Sequence, residues 1–234
     1  MNVSKRLQTV AESVLSKGVV ADIGCDHGFT SIYLIQNQMA EHVIAMDINK
    51  GPLERAREHV LQYDMRDKIS LRLSDGAKEL TAGEADTLLI SGMGGALIGR
   101  ILQQSEEVTK AAKELVLSPQ SEIHLVRKLL HKMGFMIADE KMVFDQGKYY
   151  VVIRAVPGSE TYLEELEYIY GKKLIDNRDE VFRSFMQKEA ERVAKVLAGM
   201  KQQKLSENSQ KKQEELIQEG VQIQNVLNRM NREA

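Results

Sequence analysis

The sequence predicts an α/β fold built on a doubly wound parallel sheet, with a helical appendage, and three observations carry that prediction. Strand-length apolar runs alternate with amphipathic helical patterns as far as Val156, the signature of a parallel sheet covered by helices. The apolar strand Val20-Ala21-Asp22-Ile23 runs into a glycine-bracketed turn, Gly24-Cys25-Asp26-His27-Gly28, and then into a helix. Beyond Ser159 the strand pattern stops, and Glu, Lys, Gln and Leu take over. The 234 residues and 43% apolar content suffice for one core of ordinary size with something appended.

Each element follows from its spacing. Leu7, Val10, Ala11, Val14 and Leu15 recur at helical intervals, so the chain opens with an amphipathic helix. A strand at 19–24 then precedes a helix at 30–37, and a strand at 42–47 precedes a helix at 52–63 with Pro52 in its first turn. Strands follow at 69–73, 87–90 and 115–117, the last two leading into helices at 96–103 and 122–133. After Gly134, segments 135–144 and 149–156 are joined by Asp145-Gln146-Gly147-Lys148, a link so short that the two must form an antiparallel hairpin. A mostly parallel sheet finished by such a hairpin resembles the ending of class I, Rossmann-like methyltransferase domains. Pro157-Gly158-Ser159 closes this part, giving an expected catalytic domain over 1–157 and a helical domain over 158–234. In the latter, Phe182, Met186, Ala190, Val193, Leu197 and Met200 keep spacings of three and four, and Leu216, Ile223, Leu227 and Met230 form a second stripe. They predict two long helices joined at Ser206-Glu207-Asn208-Ser209 into an antiparallel, coiled-coil-like hairpin, with Lys201, Lys204, Lys211 and Lys212 near its tip as possible phosphate contacts.

The first turn speaks to chemistry. A dinucleotide fold spaces its glycines G-x-G-x-x-G so that a pyrophosphate rests on backbone N–H groups at a helix N-terminus. Here Asp26 occupies the middle of the turn, and a carboxylate ~4 Å from a phosphate costs roughly 1 to 4 kcal/mol. S-adenosylmethionine carries an adenosine, no phosphate and a cationic sulfonium, so acidic residues favour it over NAD. Asp47 ends the second strand 23 positions after Gly24, where a carboxylate accepts from both ribose hydroxyls; alone it indicates the ribose without choosing the cofactor. Ser74-Asp75-Gly76 ends the third strand, with Asp75 suited to the adenine amino group. Ser91-Gly92-Met93-Gly94-Gly95 ends the fourth, beside the switch in strand order where such sheets place their reacting centre. That segment has no proline or aromatic of the kind used to methylate exocyclic amines. A ring nitrogen, which has its own lone pair and needs alignment more than deprotonation, is the better target. Arg6, and Lys5 beside it, are the candidate phosphate contacts, because a helix before the first strand lies across such a pocket. Arg100, Arg127, Lys128 and Lys132 are further basic positions near the expected mouth.

Composition limits the alternatives. The formal charge of −2, from 32 Lys and Arg against 34 Asp and Glu, means that an anionic partner must be met by local patches. The single cysteine, Cys25, forms no internal disulfide and gives no zinc spacing, as in a reducing compartment. Residues 1–15 resemble neither a signal peptide nor an anchor, and no apolar run reaches the length of a membrane span. A cytoplasmic protein without a metal is expected, of open oligomeric state.

With these residues in view, the chain resembles the TrmK family of bacterial tRNA (adenine-N1) methyltransferases, which modify adenine 22. The resemblance rests on Ala21-Asp22-Ile23-Gly24-Cys25-Asp26-His27-Gly28, Ala45-Met46-Asp47-Ile48-Asn49, Ser74-Asp75-Gly76 and Ser91-Gly92-Met93-Gly94-Gly95, with Leu117-Ser118-Pro119-Gln120 and Gly147-Lys148-Tyr149-Tyr150 also matching. It implies S-adenosylmethionine held by Asp22, Gly24, Cys25, Asp47, Ile48, Asp75, Gly76, Ser91 and Gly92, with Asp26, His27, Met93 and Gly94 lining the place where base and methyl group meet. It also implies a C-terminal domain that helps hold tRNA. Two readings of other classes stand beside it: a methyltransferase for a small metabolite, and a non-catalytic RNA-binding module that retains the cofactor.

Overall fold

The structure, a computed structural model, describes residues 1, 3–200 and 207–231. In chain order the first elements are α1 (Lys5–Glu12), β1 (Val19–Ile23), α2 (Phe29–Gln36), β2 (His42–Asp47), α3 (Lys50–Gln62) and β3 (Ile69–Leu73). They are followed by β4 (Thr87–Ser91), α4 (Gly95–Gln104), α5 (Glu106–Ala111), β5 (Glu114–Ser118), α6 (Ile123–Lys132), β6 (Phe135–Asp145) and β7 (Lys148–Pro157). The helical part comprises α7 (Glu165–Tyr170), α8 (Lys172–Asp176), α9 (Glu180–Met200) and α10 (Glu207–Asn231).

One seven-stranded sheet runs in the order β3-β2-β1-β4-β5-β7-β6. β1 to β5 pair in parallel, whereas β7 is antiparallel to both β5 and β6. The central strands are apolar on both faces because helices cover both faces; Val20, Ala21, Leu89, Leu115 and Val116 are completely buried. β1 has β2 on one side and β4 on the other, so successive crossovers run in opposite directions from it and leave a crevice at the carboxyl ends of β1 and β4.

By its internal contacts the chain divides into Met1–Leu163 and Glu164–Ala234, six residues beyond the expected boundary at 157/158. The segment after β7 turns back onto the first unit. Glu160 accepts a hydrogen bond from the backbone N–H of Ile137 at 3.0 Å and lies 3.3 Å from His131 Nε2, and the Tyr162 ring meets His131 edge-on at 4.5 Å. In the second unit α9 and α10 pack on each other through Phe182, Met186, Val193, Leu216, Ile223 and Met230. The expected linker at 206–209 is displaced, since Glu207, Asn208 and Ser209 already belong to α10. Ser206, Lys201 and Lys204 lie outside the described residues.

Candidate active site

The carboxyl ends of β1 to β4 surround a cavity of about 600 Å³, a size suited to a small-molecule ligand. Its near wall is the turn after β1. The N–H groups of Gly24 and Cys25 both donate to the Met46 carbonyl, at 2.8 and 2.9 Å, and Gly28 N–H closes the turn on the Cys25 carbonyl at 2.8 Å. Gly24 has φ +81°, and a Cβ there would stand 2.3 Å from the Met93 methyl. This close approach brings the first and fourth turns together across the point where strand order reverses.

Asp47 is aimed by its neighbours. Its Oδ1 accepts from Asn49 N–H at 2.9 Å and its Oδ2 from Asp26 N–H at 3.4 Å. Each oxygen keeps a lone pair for a further donor. Ser74 N–H donates to the Asp47 carbonyl at 2.9 Å, and Ser74 Oγ donates to the Gly76 carbonyl at 2.8 Å, so the third turn is registered against the second. Ile48 lines the cavity while 59% exposed, an apolar face suited to a flat ring. The fourth turn is clamped to the loop after β5: Gly92 N–H donates to the Ser118 carbonyl at 3.2 Å, and Gln120 N–H donates to the Met93 carbonyl at 2.9 Å. Among the described residues the buried hydroxyl of Ser91, a residue of the cavity wall, has no hydrogen-bond partner.

The site is rich in carboxyls. Asp22, Asp26, Asp47 and Asp75 line it, against the guanidinium groups of Arg6 and Arg100. Burial pushes the Asp22 carboxyl up to about 6, against the lowering effect of the Ser31 hydroxyl, with the charge of Asp47 adding to the rise; Ser31 Oγ donates to Asp22 Oδ2 at 2.6 Å. Burial, with the charges of Asp22 and Asp47 behind it, also drives the Cys25 thiol upward, so it stays protonated and unreactive. Asp75, paired with Lys78, is held below the usual carboxylate range by that hydrogen bond and charge.

Asp26 stands in the turn at φ +48°, with His27 Nε2 and Arg55 Nη2 each 3.7 Å from its Oδ1. The His27 ring lies nearly parallel to Phe29, 5.6 Å between centroids, and Phe29 in turn stacks on His59 at 4.6 Å. His59 Nδ1 lies 2.9 Å from the His27 carbonyl; a carbonyl only accepts, so Nδ1 carries the hydrogen. At the rim, Arg6 places its guanidinium 5.2 Å from the centre of the Tyr150 ring.

The structure thus gathers Asp22, Gly24, Cys25, Asp26, His27 and Asp47 around one cavity, with Ile48, Asp75, Gly76, Ser91, Gly92, Met93 and Arg6 beside them. Two expected members stand apart. Gly94 is the residue that caps α4, and a Cβ there would meet Ser121 Oγ at 3.0 Å rather than the cavity. Lys5 is exposed and outside the lining, whereas Arg6 turns inward. Arg127 is not at a mouth at all: it is 1% exposed, with its Nε 2.7 Å from Glu140 Oε1. The sequence reading missed Phe29, Thr30, Asn49, Leu97 and Ile101 in the lining. Asn49, two places after Asp47, was the findable one; Leu97 and Ile101 carry an ordinary helical spacing that reads as core. Among the described residues no group of three or more His, Cys, Asp or Glu is arranged to hold a metal ion, and no helix is long and apolar enough to cross a membrane.

Comparison with known proteins bears directly on this cavity. Residues 3–153 match the family described as Methyltransferase domain. The curated tRNA (adenine(22)-N(1))-methyltransferase of Bacillus subtilis is 37% identical over 158 residues, a stretch spanning 68% of this chain and 66% of that protein. The crystal structure of the B. subtilis m1A22 tRNA methyltransferase TrmK superposes with a TM-score of 0.81 at 31% identity, over 97% of this chain and 99% of that one. This chain belongs to the TrmK family. A second TrmK, from M. capricolum, solved in complex with the cofactor product S-adenosyl-homocysteine, superposes with a TM-score of 0.82 at 25% identity, over 98% of this chain and 99% of that one. The TrmK likeness therefore covers both units of the chain, including the helices after Leu163.

Proposed function

We propose that this chain is an S-adenosyl-L-methionine-dependent tRNA methyltransferase that forms N1-methyladenosine at adenine 22, working in the cytoplasm. The observation that carries the reading is the acidic turn at the strand-order switch: Asp26 stands where a dinucleotide enzyme admits a pyrophosphate, and Asp22, Asp47 and Asp75 line the same cavity. Such a site opposes phosphate and suits a cation. The names of the TrmK relatives supply the substrate and the position.

The residues fit S-adenosyl-L-methionine part by part. Asp47 receives the ribose hydroxyls, its carboxylate already steadied by the N–H groups of Asp26 and Asn49. Ile48 and Gly76 border the adenine, and Asp75 accepts from its amino group. Gly24, Cys25 and Gly92 offer backbone close to the ligand, Asp22 answers its positive end, and the unpartnered Ser91 hydroxyl accepts or donates at the centre. The bound cofactor supplies a methyl group on a cationic sulfur. The target N1 carries a lone pair, so no residue must first remove a proton; the chain's task is alignment. Met93 offers an apolar contact to the flat base, and His27 borders the space it enters. Asp26 accepts from the adenine amino group and balances the positive charge that the base gains on methylation, a preorganised stabilisation of the kind that lowers a barrier most. Because N1 lies on the pairing edge, the base must be drawn from its stack at a cost of a few kcal/mol. Arg6 at the rim, and the helical unit from Glu164, are assigned the compensating backbone contacts.

Calorimetric titration with S-adenosyl-homocysteine and with NAD, beside incorporation of labelled methyl groups into unmodified tRNA, tests the proposal. Binding of the former alone, with label entering RNA, is expected. Preference for NAD, or label entering only small molecules, would refute it.

A further inference from the structure

We propose that the tip of the β6–β7 hairpin is a stacking platform for an unpaired base of the RNA substrate, with Phe144 and Tyr149 as the contacting rings; this rests on the tRNA reading of the adjoining site. The register gives the hairpin its reach. Ile153 of β7 lies opposite Leu117, next to the last residue of β5, so Tyr149, four residues earlier, projects ~13 Å further. That is the side on which β1 and β4 end and the cavity opens.

The tip keeps its shape to the end. Val143 pairs with Tyr150, Phe144 with Tyr149 and Asp145 with Lys148, leaving a two-residue turn with φ +47° at Gln146 and +82° at Gly147, the type I′ form that holds a twisted ribbon closed. It is also fastened to the cavity rim. Asp145 Oδ2 accepts from Arg6 N–H at 3.2 Å, and the Arg6 guanidinium covers the Tyr150 ring while lining the cavity.

Cross-strand alternation puts Val143 and Tyr150 on one face of this ribbon and Phe144 and Tyr149 on the other. Val143 is 2% exposed, whereas Phe144 is 42% exposed, with its ring 4.6 Å from Tyr149 and tilted by 44°. One partly exposed phenylalanine needs no explanation by itself. Here two aromatic rings stand on a stiff projection beside the cavity, with Lys148 exposed at the same turn, while Arg6 holds the opposite face of the ribbon through Tyr150. Aromatic faces beside a cation suit single-stranded RNA, whose bases stack on rings while its phosphates meet the positive charge. Drawing the target from the tRNA core breaks its stacking with its neighbours, and the platform gives one such neighbour a replacement surface.

The test compares the full chain with the double variant F144A/Y149A and the conservative variant F144Y/Y149F. Two readouts are used: affinity for unmodified tRNA by fluorescence anisotropy, and kcat and KM for methyl transfer to the same tRNA. The alanine variant should bind S-adenosyl-homocysteine as the parent does yet lose about five- to a hundredfold in tRNA affinity, the range of one lost base-stacking contact, appearing in KM. The conservative variant should stay within twofold of the parent. Equal tRNA affinity and KM in the alanine variant would overturn the platform, as would loss of affinity in both variants alike. If the parent binds tRNA without methylating it, the proposed reaction fails and the affinity comparison still decides the platform; a parent that binds no tRNA refutes both.

Discussion

Asp26 shows how far one residue's position reaches. A carboxylate at φ +48° between two bracketing glycines is readable from sequence, because few turns place an acid where a phosphate would otherwise lie. Replacing it with Ala should leave affinity for S-adenosyl-homocysteine intact and slow methyl transfer by at least tenfold, about 1.4 kcal/mol; single-turnover kinetics with unchanged rates would remove it from the mechanism. Asp22 yields a prediction that only the structure supports, since its burial is a tertiary fact. Its carboxyl is raised to about 6, so the neutral form is favoured in the folded state. The stability this gives the ligand-free protein is full below the ordinary aspartate range and is lost as pH rises through about 6. A cationic ligand wants the ionised form, so cofactor affinity should climb from pH 5 to pH 7, and the climb should vanish in Asp22→Asn; parallel calorimetric profiles for the two proteins would contradict the assignment. Gly94 and Gly95 show how neighbouring residues of one motif take different positions. The sequence offers Gly94 as site lining, whereas in the structure Gly94 caps α4, and Gly95 is the residue under strict constraint: a Cβ there would lie 2.6 Å from the Ser121 carbonyl and 2.8 Å from that of Glu122. Gly95→Ala should cost about 1–3 kcal/mol in chemical unfolding, the usual penalty of overpacking.

At the level of elements, α6 and β6 illustrate what periodicity reveals and what it hides. The helix is legible because Val126 and Leu130 repeat at four and face the sheet. Arg127 sits beside them in sequence and reads as a surface cation, but it is buried, and Glu140, 13 positions away, is a partner that helps make burial tolerable. Pairing across elements leaves no local pattern, so the sequence pointed the wrong way. Removing either partner breaks this buried pair and should cost about 3–5 kcal/mol in urea unfolding, whereas the apolar double replacement R127M/E140L should cost far less. If the single and double variants lose the same stability, the pair is not acting as one. α5 escaped notice because its six residues give a pattern barely longer than one turn. The start of α10 differs for a related reason: Glu207, Asn208 and Ser209 look like a polar link, yet a first helical turn accepts such residues well.

For the molecule as a whole, the alternation of strands and helices and the closing hairpin were sufficient to predict a doubly wound, mostly parallel sheet with an antiparallel end, because right-handed crossovers leave few alternatives, whereas the strand order itself came from the structure. The boundary between the units was less legible: Glu160 and Tyr162 return to His131 through side-chain contacts that composition does not encode. A chain ending at Leu163 should therefore retain the fold of the first unit and its cofactor affinity. If the helical unit aids tRNA binding as proposed, that chain should lose at least tenfold in kcat/KM for tRNA, and undiminished activity would instead favour a small substrate. The most direct test of the central claim is to incubate the full protein with labelled S-adenosyl-L-methionine and unmodified tRNA, digest the RNA and identify the methylated nucleoside by mass spectrometry. N1-methyladenosine that disappears when adenine 22 is replaced is the predicted result; no methylated nucleoside despite intact cofactor binding, or the same nucleoside after adenine 22 is replaced, would contradict it.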